Sequence, residues 1–127
     1  MDAEEPPVLL DGARVVRFAI VDNSRPGLRS GMVAGGVPVD FSVVTRSVMA
    51  EDLVDGSVLL MHCNSEWSTI AAERLPDLES AQRTADAAYA GVAMSWTAFR
   101  DLTPEEEREV QTTRTFLREL ANEFRDA

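Results

Sequence analysis

Apolar positions change period several times along the chain, and each change marks an element. From Arg14 to Val21, Val16, Phe18 and Ile20 alternate with Val15, Arg17 and Ala19, the period-2 signature of a strand with one drier face. Asp22-Asn23-Ser24-Arg25-Pro26-Gly27 then supplies turn residues. The runs Leu28–Ala34 and Val37–Arg46 flank Gly35-Gly36, which predicts two strands joined by a tight turn that needs positive φ. Pro38 weakens the pairing beside that turn, having no N–H to donate. Residues 47–56 carry Glu51, Asp52 and Asp55 ahead of Gly56 and read either as a loop or as one helical turn. Ser57–Cys63, with Val58, Leu59, Leu60 and Met61 consecutive, is apolar on both alternating sets and resembles a central strand covered on both faces. Trp67–Arg74 reads as the returning strand after a loop, Asn64-Ser65-Glu66, that has no Gly for a left-handed position.

The period then shifts to that of helices. Pro76-Asp77 opens the first, with Asp77 as its cap and Glu79 near its positive end. Leu78, Ala81, Ala85, Ala88 and Val92 share one stripe, and Gly91 stands where a C-terminal cap belongs. Thr103-Pro104-Glu105-Glu106 is a second start: Thr as cap, Pro at the first helical position and Glu106 completing a capping box. Val110, Thr113, Leu117, Leu120, Ala121 and Phe124 continue as a core-facing stripe. The expected fold is α+β, an antiparallel meander of four to five strands followed by two helices packed on one face. Residues 1–12, acids with Pro6 and Pro7, read as a flexible acidic tail ahead of a single domain over residues 13–127.

Composition narrows the chemistry. The 127 residues include 12 Arg and no Lys against 22 acids, a formal charge of −10, with one His and one Cys. Without Lys there is no Walker-type phosphate loop and no Schiff-base or pyridoxal lysine. One His and one Cys cannot build a three-His zinc site, a zinc finger or an intramolecular disulfide. Exclusive use of Arg is what a GC-rich genome produces. The acidic N-terminus does not suit a secretory signal, and no apolar run approaches the ~18 residues of a membrane span. A cytoplasmic bacterial protein is the expectation, binding neither membrane nor nucleic acid, because affinity for phosphate comes from clustered cations. The charge is −4 over residues 1–63 and −6 over 64–127, so neither half offers a basic face. No cofactor and no metal site is expected.

Several residues carry candidate chemistry. His62-Cys63 is the first place to look for a nucleophile and base, but neighbours on a strand point to opposite faces unless the strand ends or bulges at Met61. The loop Asn23–Gly31, with Arg25 and Arg29 beside two Gly, offers guanidinium groups to an anion, though a Pro-Gly step is first a turn. Glu51, Asp52 and Asp55, and the run Glu105, Glu106, Glu107 and Glu109, supply carboxylates for acid–base work or a hard cation; a run of Glu at a helix start ordinarily stabilises the dipole instead. Trp67, Tyr89, Trp96 and Phe99 are half of the eight aromatics, and an exposed Trp96 would mark a docking patch.

Two functions from different classes follow, with a third behind them. The first is a protein-binding module that docks a basic protein partner, in the manner of small acidic immunity proteins, with Trp96 and Phe99 as anchors ringed by Glu51, Asp52 and Asp55. The second is a small enzyme or ligand-binding domain with a pocket between sheet and helices, using His62, Arg29 and Asp52. The third is a homodimer formed through the amphipathic C-terminal helix.

Overall fold

The computed structural model describes residues 5–21, 33–34, 37–38, 44–88 and 96–126. Along the chain run β1 (Leu9–Leu10), β2 (Ala13–Ile20), β3 (Val33–Ala34), β4 (Val37–Pro38), β5 (Arg46–Glu51), β6 (Val58–Cys63), β7 (Thr69–Leu75), α1 (Leu78–Ala88), β8 (Thr97–Ala98) and α2 (Pro104–Asp126). The main sheet is antiparallel in the order β1-β2-β5-β6-β7, with β8 also pairing β2, and β3-β4 form a separate pair. The fold is therefore α+β, a meander followed by two helices. Val33 pairs with Pro38 and Ala34 with Val37, around the expected Gly35-Gly36 turn, which itself lies outside the described residues.

The largest departure from the sequence reading is β5. The stretch read as a loop or helical turn begins inside a central strand, hydrogen-bonded to β2 on one side and β6 on the other. Arg46, Ser47 and Glu51 disguise it, and the fold absorbs each. Ser47 is fully buried and donates to the Met61 carbonyl at 3.4 Å. The Arg46 guanidinium lies 5.6 Å from the centre of the Trp67 ring. Strand β1 and the Asp11-Gly12 turn also pair with β2 within the stretch read as an acidic tail. Positive φ at Asp11 (52°) and Gly12 (80°) suits the turn type whose twist matches a hairpin.

The other hairpins are closed by short polar side chains. Asp52 Oδ1 accepts the amides of Val54 at 2.8 Å and Asp55 at 3.1 Å, and Gly56 takes the left-handed position at φ 77°. Between β6 and β7, Asn64 Oδ1 accepts the amides of Glu66 and Ser68 at 2.9 and 3.1 Å. With no Gly available, Trp67 adopts φ 63°. Its ring is buried in the cluster formed by Leu10, Ala13, Val15, Val48, Ala50, Met61 and Cys63, and that burial offsets a backbone conformation that bulky residues avoid.

Alternation divides the sheet residues between two clusters. Met49, Val58 and Leu60 pack with Val21, Val44 and the α1 residues Ala81 and Ala85, while the Trp67 cluster occupies the other face. Helix α1 contributes its buried alanines Ala81 and Ala85 to this cluster, with Leu78 packed against it. It starts as expected: Asp77 Oδ1 accepts the Ser80 amide at 2.8 Å. Gly91, Val92 and Tyr89 lie outside the described residues. Helix α2 starts with both halves of its capping box formed, Glu106 N–H to Thr103 Oγ1 at 3.2 Å and Thr103 N–H to Glu106 Oε1 at 2.8 Å. It meets the sheet at the end shared by β2 and β5. There Arg114 Nη2 lies 3.6 Å from Glu51 Oε1, and Leu117 Cδ1 is 3.7 Å from where a Cβ on Gly12 would stand.

Candidate functional site

The residues singled out from sequence do not converge on one site. His62 is fully buried with its Nε2 3.8 Å from Glu73 Oε2, and in the sheet it pairs with Ser47 and Ala71. Burial pushes its pKa down to about 4, so it is neutral at physiological pH. Cys63 belongs to the opposite face, in the Trp67 cluster. The register shift beside these two residues places Thr69 opposite Cys63 and Ala71 opposite His62. The extra residue is thus Ile70 on β7, and β6 keeps its alternation. Burial, helped by the charge of Asp11, raises the Cys63 thiol to about 11 against a Thr69 hydrogen bond. No nucleophile–base pair forms here.

The acids expected to ring a binding surface are engaged within the fold. Arg74 Nη1 contacts Asp52 Oδ2 at 3.1 Å and Asp55 Oδ2 at 3.2 Å, and also donates to the Ser57 hydroxyl. One guanidinium on β7 thereby clips the β5–β6 turn. Hydrogen bonds from the Ser57 hydroxyl and amide hold the Asp55 carboxyl below the ordinary carboxylate range, with Arg74 adding to the effect. Glu51 faces Arg114. In the helical run, Arg100 grips Glu106 with two nitrogens at 2.7 and 2.8 Å and reaches Glu5 at 3.1 Å. That grip, with the Thr103 amide, keeps Glu106 well below its usual pKa. Among the described residues no group of three or more His, Cys, Asp or Glu is placed to hold a metal ion. Arg25 and Arg29 lie outside the described residues, so the expected anion loop has no described geometry.

The aromatic anchors are also partly occupied. Trp96 is half-buried against the α1-side cluster. Phe99 packs edge-on against Phe18, ring centres 6.4 Å apart, and Phe18 meets Trp67 at 5.9 Å. The exposed apolar surface lies elsewhere. Among the α2 residues whose burial is described only Val110 is buried, while Phe116, Leu120 and Phe124 are 60%, 36% and 74% exposed. The stripe expected to face the core therefore splits: Val110 and Leu117 reach the body, and Leu120 and Phe124 do not. Phe116 was missed from sequence because it falls outside that stripe. The signal was its spacing of four from Leu120 and Phe124.

Two of the open clefts among the described residues are large enough for a small molecule. One of about 570 Å³ lies between β2, β8 and the start of α1, with Arg14, Arg17, Val58, Leu78 and Phe99 among its walls. Another of about 520 Å³ lies between Arg14 and the first turns of α2. His62 lines neither of them. No helix among the described residues is long and apolar enough to cross a membrane. Comparison of the chain with protein-family models, with curated proteins and with solved structures finds no match.

Proposed function

We propose that the protein is a binding module that captures a basic protein partner, anchored by Phe116, Leu120 and Phe124 of α2. The observation that carries this reading is the exposure of those three side chains along one line of a 23-residue helix. Side chains four apart on a helix stack on one side, which is how a helix presents anchors to an apolar groove. Large exposed aromatics cost solubility in a monomer and are the residue types that dominate binding energy.

Charge around the stripe favours a cationic partner over a second copy. At 100° per residue, Val110, Leu117 and Ala121 fall on the body side of the stripe, and Glu119 and Glu123 follow its free side. An antiparallel two-fold pairing of this helix would set those acids against their own copies, and like charges so placed are costly. A groove bordered by Lys or Arg would meet them with the opposite sign. The net charge of −10 steers such a partner over a longer range. The acids thus border anchors on α2, in place of the expected set around Trp96.

The test uses two synthetic amphipathic helical peptides of identical apolar pattern, one bordered by Lys and one by Glu. The full chain is expected to bind the first, more weakly as salt rises, and not the second. Phe116→Glu with Phe124→Glu should reduce that binding by at least about tenfold while leaving the unfolding midpoint nearly unchanged, because exposed positions contribute little to stability. Equal binding by the double variant would overturn the reading. Sedimentation showing a dimer of the chain alone, dissolved by the same substitutions, would replace it with the homodimer.

A further inference from the structure

We propose that the cleft between β2, β8 and the start of α1 binds a small oxyanion, a carboxylate or phosphate carried on an apolar body, through Arg14 and Arg17. The backbone first brings these two residues together. Three positions apart on a regular strand, they would point to opposite faces. The register of β2 against β5 shifts between Val15 and Arg17: Arg14 pairs with Glu51, Val15 with Ala50 and Arg17 with Met49, so Val16 is an extra residue. That bulge turns Arg17 to the same face as Arg14, the face that α1 covers. Bulges recur beside functional sites because they re-aim a side chain in this way.

Both guanidinium groups are left available. Arg14 and Arg17 are half-buried, and among the described residues neither makes an ion pair, in contrast to Arg74, Arg83, Arg100 and Arg114. The acids on the cleft wall are already engaged: Glu51 faces Arg114, and Asp77 accepts the Ser80 amide as the α1 cap. A partly desolvated guanidinium without a counter-charge is the group that a bidentate carboxylate or phosphate satisfies best. Arg100 on the same wall is held by Glu106 and Glu5, and Val58, Leu78 and Phe99 supply an apolar section that suits a ring or short chain attached to the anion. A few polar groups converging on an apolar concavity is the usual make-up of a ligand site. None of the stripe residues Phe116, Leu120 and Phe124 lines this cleft, so the site stands or falls independently of the docking reading.

The test is titration of the isotope-labelled full chain with phenyl phosphate and, separately, 3-phenylpropionate, followed by amide chemical shifts. Saturable shifts at Val15, Arg17, Leu78 and Phe99 are expected, and the tighter probe identifies which oxyanion the site takes. Arg14→Gln and Arg17→Gln should each weaken binding at least about tenfold, and Arg83→Gln on the exposed side of α1 should not. Absence of saturable shifts with both probes at millimolar concentration would overturn the proposal. So would unchanged affinity in the two cleft variants.

Discussion

His62 and Cys63 are neighbours in the chain and lie on opposite faces of the sheet, His62 beside Ser47 and Ala71, Cys63 beneath Trp67. Strand geometry separates an imidazole and a thiol that in another backbone would form a catalytic pair. Each is set by its own burial, and each makes a prediction.

Cys63 is expected to be inert in the native protein. Its thiol is buried and shifted to about 11, so the reactive thiolate is scarce at neutral pH. Labelling with a thiol reagent at pH 7.5 should be far slower than for free cysteine and should accelerate with added urea, following global opening. A native-state rate equal to that of free cysteine would show the site to be open.

His62 should make stability fall in mild acid. Its pKa in the fold is about 4, below the ordinary value of 6.5, because burial disfavours the cation. Between these values the unfolded chain binds a proton that the native chain does not, so unfolding becomes easier as pH drops from 6.5 towards 4. The shift corresponds to an upper limit of about 3 kcal/mol, reduced by the Glu73 carboxylate 3.8 Å away, which favours the cation. Urea unfolding at pH 7.5 and pH 5 measures the loss, and His62→Gln should flatten it. A pH dependence unaltered by the substitution would assign the acid sensitivity to other groups.

The capping box makes a third prediction. Thr103 and Glu106 satisfy each other's backbone amides at the first turn of α2, so Thr103→Ala should cost about 1 kcal/mol and fray the helix start, read as loss of amide protection around Glu106. Thr103→Ser, which keeps the hydroxyl, should restore most of it. Equal stability of the Ala and wild-type chains would mean that the Arg100–Glu106 grip alone holds this end.

Local signals were legible wherever the information is local. Asp77 and Thr103 announce helix starts because a cap needs only its own side chain and the next three amides. The apolar run Val58–Met61 announces a central strand because both its faces are dry. Strand β5 was hidden because Arg46 and Ser47 look like surface residues until Trp67 and the Met61 carbonyl, distant in sequence, arrive to accommodate them. Phe116 and Phe124 illustrate the converse: the period of α2 shows that it has an apolar side but cannot say how much of that side a partner element will cover.

What the chain by itself determined was the two helices and the strands with a clear apolar period, the helix-capping chemistry, and the exclusion of lysine, zinc-finger and disulfide chemistry, all consequences of residue type and near-neighbour spacing. Only the tertiary structure decided which carboxylates are taken up by Arg74, Arg100 and Arg114, which side of α2 is left bare, and that one extra residue in β2 sets Arg14 and Arg17 on the same face of the sheet. Those outcomes depend on contacts between segments far apart in sequence, and a side chain's charge or apolarity becomes available for binding only once the fold has failed to use it.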